Sequence, residues 1–199
     1  MESMGDTQRL QGRAVLIGVT GGIAAYKTAD LVSRLVQNGV RVSVVMTAAA
    51  TQFVTPRTFE ALSGRPVVTE LFAPVAKSET PFAHLATAKD GEVFCIAPAT
   101  ANILAKAAHG LADDLVSTLC LSFSGPILFA PGMNCEMWDK SAVQRNVKLL
   151  RMDGRRIVGP EEGRLACGDC GMGRMAAVET IFSVIAEELG KSGVKKMER

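Results

Sequence analysis

Hydrophobic positions along the chain follow two alternating patterns, short continuous runs and longer segments with helical spacing. Ala14–Val19 is an apolar run followed by glycines, and Arg41–Met46 is a second, mostly apolar run. Continuous runs of this length are typical of parallel strands that are buried on both faces. Between them, Ala24–Gln37 repeats its apolar positions with a helical period, and Asn38 and Gly39 supply a stop signal. This part of the chain therefore predicts a strand, a helix and a second strand.

The same alternation continues along the rest of the chain. Further strands are predicted at Val93–Ala97, Pro126–Ala130 and Arg156–Val158. Helices are predicted at Thr47–Ser63 (interrupted near Pro56), Asn102–Ala108, Asp114–Ser122, Ser141–Leu150 and Ala176–Leu189. Alternating strands and helices predict an α/β fold with a doubly wound parallel sheet. Ligands bind such sheets at the carboxyl ends of the strands, so the turns that follow the strands become the candidate site.

Composition narrows the function classes. A chain of 199 residues suits one domain, and we expect residues 1–12 and 190–199 to be short tails, the first of them flexible. The net charge of +2 and an aromatic content of 5% argue against nucleic-acid binding. The sequence has no signal-peptide pattern and no apolar stretch near the roughly 18 residues of a membrane helix. Five cysteines scattered through apolar segments predict a reduced, cytoplasmic setting.

The turns after four predicted strands carry small or hydroxyl-bearing residues: Gly18–Gly22, Met46–Ala49, Pro98–Asn102 and Pro131–Asn134. A glycine turn before a helix lets backbone N–H groups hold a phosphate. The dinucleotide pattern G-x-G-x-x-G is absent, and so is the Gly-Lys-Ser/Thr of the P-loop, so a mononucleotide fits better. The alternative is that the glycines only permit a tight turn between strand and helix.

Several longer segments occur in a specific order along Arg13–Leu189. They are Gly18–Lys27, His84, Pro98–Asn102, Ala130–Trp138 and Gly163–Met175. Together they resemble the homo-oligomeric flavin-containing cysteine decarboxylases. Within that superfamily the resemblance is strongest to the enzymes that decarboxylate phosphopantothenoylcysteine in coenzyme A biosynthesis. It implies a flavodoxin-like, Rossmann-like three-layer sandwich over residues 13–189, with FMN at a subunit interface of a homotrimer or homododecamer.

The resemblance also implies roles for individual residues. His84 is expected to be the active-site base, Cys167 the acid that completes the reaction, and Asn134 the group that holds the substrate carboxylate. FMN is expected to contact Gly21, Gly22, Thr47, Phe53, Ala99, Thr100, Ala101, Asn102 and Met133. Glycines around Cys167 imply that residues 159–175 form a mobile flap over the substrate. No metal site is expected.

The implied chemistry gives the thiol of Cys167 a specific task. Oxidation of the cysteine side chain of the substrate by FMN yields a thioaldehyde, CO2 then leaves, and the charge settles on sulfur as an ene-thiolate. The pantothenate reaction must return the hydride and needs an acid, whereas a peptide cysteine decarboxylase stops at the ene-thiol. A peptide cysteine decarboxylase is therefore one alternative function. A flavin prenyltransferase and a non-catalytic FMN-binding regulatory subunit are two others.

Each of these residues also has a purely structural interpretation. His84 could be a core histidine, Asn134 a helix cap and Met133 a core side chain. Cys167 and Cys170 form a C-x-x-C pair that could belong to a zinc or redox site. The sequence has no second such pair, and a structural zinc ion normally takes four protein ligands.

Two positions depart from the pattern that the resemblance implies. Gly132 stands where the family commonly has alanine, and Asp113 stands where asparagine is as frequent. Neither change removes a reacting group. The extra backbone freedom at Gly132 could loosen Asn134.

Overall fold

A parallel five-stranded sheet forms the centre of the protein. The structure, a computed structural model, describes residues 10–72, 91–164, 168 and 170–197, with side chains as far as residue 191. The strands of the sheet are β1 (Ala14–Val19), β2 (Arg41–Met46), β3 (Val93–Ala99), β4 (Ile127–Pro131) and β5 (Arg156–Ile157). Their spatial order is β2-β1-β3-β4-β5, and every neighbouring pair is parallel. The predicted doubly wound α/β fold is confirmed.

Helices cover both faces of this sheet. They are α1 (Ala25–Gln37), α2 (Pro56–Ser63), α3 (Ala101–His109), α4 (Leu115–Ser122), α5 (Cys135–Trp138), α6 (Ser141–Met152) and α7 (Val178–Met197), with a 3-10 turn at Ala50–Gln52. The core accordingly has two parts. Val15 and Ile17 pack with α1, α2 and α7, whereas Leu16 packs with α3, α4 and α6. The opposite faces follow from the side-chain alternation of a strand, and continuous apolar runs result because both faces are buried.

The glycine-rich segment after β5 contains a second, small sheet that the hydrophobic pattern did not predict. Strands β6 (Glu161–Arg164) and β7 (Cys170–Arg174) pair antiparallel. Both are short and glycine-rich, so they lack the apolar alternation by which strands are recognised.

The described residues include positions on both sides of residues 13–189. Leu10 is only 4% exposed and belongs to the core, and the Gly12 N–H donates to the Gly39 carbonyl oxygen at 2.9 Å. At the other end, α7 continues past Leu189 to Met197. Leu10 therefore belongs to the core, whereas Gln11 and Gly12 are exposed. No helix within the described ranges has the length and apolar character needed to cross a bilayer.

Candidate functional site

A cavity of about 750 Å³ opens at the carboxyl ends of β1, β3 and β4. Within the sheet, β2 lies on one side of β1, and β3, β4 and β5 follow one another on the other side of β1. Sheets with this order bind ligands at the switch point between β1 and β3. The cavity is lined by Thr20–Ala24, Thr47–Ala49, Thr100–Ile103, Lys106, Asp114, Gly132–Asn134, Met137 and Gly173–Met175.

Two threonines join the loops that follow β1 and β3. The buried Thr20 hydroxyl donates to the Pro98 carbonyl oxygen at 2.6 Å, and the Thr100 N–H donates to Thr20 Oγ1 at 3.2 Å. Thr100 Oγ1 accepts from the Ile103 N–H at 3.4 Å and so caps the start of α3. These contacts hold the first turn of α3 at the cavity, where helix N–H groups lack intrahelical acceptors.

Gly21 lies directly against the loop that follows β2. A Cβ at Gly21 would come within 2.5 Å of the Ala49 Cβ, so a larger residue would force one loop to move. In the second loop, Thr47 Oγ1 accepts from the Ala50 N–H at 3.2 Å. Within the described ranges the Thr47 hydroxyl donates to no protein acceptor. Its proton is therefore available to a ligand in the cavity.

The turn after β4 brings Asn134 to the cavity. The Gly132 N–H donates to the Ala99 carbonyl oxygen at 3.1 Å, and the Asn134 Oδ1 accepts from the Glu136 N–H at 2.8 Å. Asn134 thus caps α5, so its structural interpretation and a substrate role are compatible. A Cβ at Gly132 would lie 3.3 Å from the Met175 Cβ, which is tight but not prohibitive. The alanine that is common in the family needs only a small shift here.

Glycines of β7 let the hairpin pack closely on this turn. The Met133 N–H donates to the Gly173 carbonyl oxygen at 2.9 Å. A Cβ at Gly173 would overlap the Met133 carbonyl oxygen, and one at Gly171 would lie 2.9 Å from the Cys135 Cβ. The described part of the expected flap therefore touches the residues on both sides of Asn134.

A charged cluster borders the cavity at α3 and α4. The Lys106 Nζ lies 2.6 Å from Asp113 Oδ1 and 2.7 Å from Asp114 Oδ2. Burial lowers the pKa of Lys106, but hydrogen bonds to both carboxylates outweigh it, and the net pKa is raised. Asp114 also forms a capping box with Ser117 at the start of α4. The Lys106 ammonium is thus charged and closely balanced by two carboxylates.

A second charged cluster lies where β7 meets the start of α7. Arg174 Nη2 lies 3.1 Å from Glu161 Oε2, and Glu161 Oε1 accepts from the Ala177 N–H at 2.9 Å. The backbone N–H of Ala177, followed by the Arg174 guanidinium, lowers the pKa of Glu161, and Lys27 contributes in the same direction. Glu161 is therefore a carboxylate held in place between backbone and guanidinium.

The structure brings most of the expected FMN contacts to one cavity. Those that line it are Gly21, Gly22, Thr47, Thr100, Ala101, Asn102 and Met133. Ala99 does not line it, because it is fully buried at the end of β3 and reaches the site only through its backbone. Phe53 is half-exposed and lies outside the lining. His84 and Cys167 lie outside the described residues.

Four lining residues with polar or charged side chains were not among the expected contacts: Thr20, Lys106, Asp114 and Arg174. Thr20 and Arg174 lie inside segments that carry the family resemblance, so the sequence indicated that these segments belong to the site but did not assign a role to either residue. The signal for Lys106 is its spacing of four residues from Asn102, which places the two on one helix face.

The described cysteines differ in their surroundings. Cys95 and Cys120 are buried, and burial raises the pKa of each thiol to about 12, so both are inert core residues. Cys135 is partly buried and Cys170 is exposed. Among the described residues, no group of three or more His, Cys, Asp or Glu side chains is placed to hold a metal ion.

Comparison with known proteins identifies the family. The model of the family described as "Flavoprotein" matches residues 4–190. The chain belongs to the flavoprotein family. It is 42% identical over 179 residues, 90% of its length, to the coenzyme A biosynthesis bifunctional protein CoaBC of Haemophilus influenzae. It is 41% identical over 191 residues, 95% of its length, to the CoaBC protein of Bacillus subtilis. The chain spans less than half of these relatives, 44% and 46% of their respective lengths.

Solved structures of similar length share the fold. The FMN-dependent cysteine decarboxylase SpaF is 36% identical with a TM-score of 0.78, and the match covers 92% of this chain and 99% of that one. A mutant PPC decarboxylase complexed with pantothenoylaminoethenethiol is 28% identical, also with a TM-score of 0.78, over 88% of this chain and 97% of that one. The predicted membership of the flavin-containing cysteine decarboxylases is confirmed by these similarities.

Proposed function

We propose that this protein binds FMN in the cavity at the β1/β3 switch point and decarboxylates phosphopantothenoylcysteine. The observation that carries the proposal is the convergence of the turns after β1, β2, β3 and β4 on that cavity. These turns contain the segments that resemble the decarboxylases. Both the bifunctional relatives and the PPC decarboxylase structure support coenzyme A biosynthesis as the context.

The cavity residues fit FMN in size and in chemistry. A volume of about 750 Å³ lies in the range of small-molecule sites. The turn at Gly21 and Gly22 leads into the start of α1, where backbone N–H groups lack intrahelical acceptors, and Thr47 offers a hydroxyl proton, so a phosphate has donors on two loops. Small residues at the start of α3 and the side chain of Met133 leave a mostly apolar wall for a flat ring.

FMN, when bound, supplies a reversible acceptor for a hydride, which no side chain provides. The protein's own contribution is positioning. Asn134 is oriented by the hydrogen bond from Glu136 to its Oδ1, and its amide is proposed to hold the substrate carboxylate. The hairpin strand β7 packs on the same turn, and Gly173 and Arg174 form part of the cavity wall.

Proton handling is assigned to two residues from the sequence resemblance. We propose His84 as the base and Cys167 as the acid that protonates the ene-thiol carbon in the last step. The Cys167 assignment favours phosphopantothenoylcysteine over a peptide substrate. A cysteine decarboxylase with another substrate, such as a peptide, remains the second candidate, because the FMN-dependent cysteine decarboxylase SpaF is 36% identical to this chain.

Apolar side chains around the cavity support a homo-oligomer. Ile23, which lines the cavity, is 58% exposed, and Tyr26 in the first turn of α1 is 60% exposed. Exposed large apolar side chains beside a ligand site are typical of protein interfaces. We propose that a second copy of the chain covers them and closes the FMN site, in a trimer or dodecamer.

A combined titration and turnover assay tests the function. Cofactor-free protein is titrated with FMN, and binding is followed by the change in flavin absorbance. The loaded protein is then given phosphopantothenoylcysteine, and CO2 release is measured. The proposal predicts saturable FMN binding and FMN-dependent CO2 release. A protein that leaves the FMN spectrum unchanged would refute the cofactor, and FMN binding without CO2 release would refute the reaction.

A further inference from the structure

We propose that Arg174 binds the phosphate group of the substrate and thereby selects the phosphorylated over the unphosphorylated molecule. This inference rests on the proposed function, because it names the group that recognises one end of the proposed substrate. The reacting cysteine end is assigned to Asn134. The phosphate at the opposite end of the substrate needs a separate partner.

The backbone places Arg174 beside the Asn134 turn but directs its side chain elsewhere. Arg174 follows Gly173, whose carbonyl oxygen accepts from Met133, and both line the cavity. Successive side chains of a strand point to opposite faces. Because a side chain at Gly173 would point at the Met133 carbonyl, Arg174 points away from that turn. Its guanidinium instead lies near Glu161, at the first turn of α7. The two ends of a long substrate can therefore be held by separate groups.

The guanidinium is positioned before any ligand arrives. It donates to Glu161, which is itself held by the backbone N–H of Ala177. On the facing strand, a Cβ at Gly163 would lie 3.1 to 3.3 Å from the guanidinium atoms. Glycine at this position leaves room for the flat guanidinium against the hairpin. A preorganised Arg loses less side-chain entropy when it binds an anion.

Charge balance distinguishes Arg174 from the other cationic side chain that lines the cavity within the described ranges. Lys106 is 15% exposed and contacts two carboxylates, Asp113 and Asp114, at under 3 Å. The Arg174 side chain is 45% exposed and contacts one carboxylate, that of Glu161. The positive charge of Lys27 also lowers the pKa of Glu161. The Lys106 cluster therefore has no surplus positive charge, whereas the Arg174 cluster carries a surplus of one.

The chemistry of the guanidinium suits a phosphate. Arg presents parallel N–H donors that match two oxygens of a phosphate, and the single hydrogen bond to Glu161 leaves further donors unused within the described structure. A charge-assisted hydrogen bond of this kind has an effect of roughly 10- to 100-fold on binding. An effect of that size is sufficient to separate phosphorylated from unphosphorylated substrate.

The test compares two substrates on FMN-loaded protein, phosphopantothenoylcysteine and pantothenoylcysteine. For Arg174→Gln we expect KM for the phosphorylated substrate to rise about 10- to 100-fold while KM for the unphosphorylated one stays unchanged. Arg174→Lys keeps the positive charge but lacks the paired N–H donors of arginine. Its KM for the phosphorylated substrate should lie between the values of the wild type and Arg174→Gln. Arg145→Gln removes an exposed arginine of α6 that does not line the cavity, and it should alter neither KM.

The alternatives give different results. An equal rise in KM for both substrates would show a structural or carboxylate-binding role and overturn the inference. A loss of FMN affinity in Arg174→Gln, with the substrate ratio intact, would assign Arg174 to the cofactor and also overturn it. If the wild-type protein turns over neither substrate, the proposed function itself fails, an outcome separate from the two above.

Discussion

The backbone N–H of Met133 donates to the carbonyl oxygen of Gly173 at 2.9 Å. This bond joins the turn that carries Asn134 to the hairpin that carries Arg174. Both ends of the proposed substrate site therefore depend on the same backbone contact. A change at Gly173 should affect the turn and the hairpin together.

Gly173→Ala should separate the hairpin from the turn, since the new Cβ would overlap the Met133 carbonyl oxygen. Gly173 also has φ +148°, which an L side chain rarely adopts. We expect a loss of about 1–3 kcal/mol in the free energy of unfolding, and a raised KM. Gly190→Ala in α7 is the matched control, because its Cβ would meet nothing within 4 Å. Equal stability of Gly173→Ala and wild type in urea titrations would contradict the close packing.

Gly21→Ala should weaken FMN binding by moving the loops that follow β1 and β2 apart. The new Cβ would lie 2.5 Å from the Ala49 Cβ, and overpacking of this kind costs about 1–3 kcal/mol. FMN affinity is measured by absorbance titration. The double variant Gly21→Ala with Ala49→Gly removes the clashing atom and should recover a large part of the affinity. Failure of the second change to restore any binding would mean that the Gly21–Ala49 contact does not explain the loss.

Asn134→Asp separates the two roles of this residue. Aspartate caps helices about as well as asparagine, so the melting temperature should change little. The added negative charge should repel the substrate carboxylate and raise KM by about 100-fold or more. Asn134→Ala provides the comparison, because it loses the cap, at about 1 kcal/mol, without adding charge. Unchanged turnover in Asn134→Asp would remove this residue from the substrate site.

Cys167→Ser should stop the reaction one step early. Serine lacks the acidity of a thiol, so we expect each FMN to release one CO2 and stay reduced while an ene-thiol forms in place of phosphopantetheine, with O2 needed to reoxidise the flavin for further turnover. The product is identified by mass, since the ene-thiol has two hydrogens fewer. Cys170→Ser, three residues along the chain, serves as the control and should yield the normal product. A normal phosphopantetheine yield from Cys167→Ser would disprove the acid role.

The link between β5 and α7 should make stability depend on acidic pH. Hydrogen bonds from Arg156 and then Lys191 lower the pKa of Glu187 from 4.5 to about 2. A lowered pKa in the folded state gives stability that is present above 4.5 and is lost as the pH falls toward 2. We expect Glu187→Gln to reduce the dependence of the urea midpoint on pH between 4.5 and about 2. Glu162→Gln, at an exposed site on β6, is the control. Parallel pH profiles of Glu187→Gln and wild type would argue against this contribution.

The sequence predicted the sheet well because its strands are buried on both faces. Ala14–Val19 and Arg41–Met46 have the predicted limits, since continuous apolar runs end where the chain leaves the core. The hairpin β6–β7 was not predicted, because short glycine-rich strands carry no periodic signal. Such pairing is stabilised by contacts with α5 that are distant in sequence.

The candidate site was predictable to the extent that its residues follow strands. Gly21, Thr47, Thr100 and Met133 line the cavity because parallel strands present their carboxyl ends at one edge. Phe53 was expected at the cofactor but lies outside the lining, since the 3-10 turn at Ala50–Gln52 carries the chain away from the strand end. The ion pairs of Lys106 and Arg174 depend on partners whose positions only the folded chain defines.

The decisive measurement is the mass of the product that the FMN-loaded protein forms from phosphopantothenoylcysteine. We predict phosphopantetheine, formed only when FMN is present. An ene-thiol from the wild-type protein would contradict the proposed final protonation and favour a peptide cysteine decarboxylase. Unchanged substrate in the presence of bound FMN would contradict the proposed decarboxylation altogether.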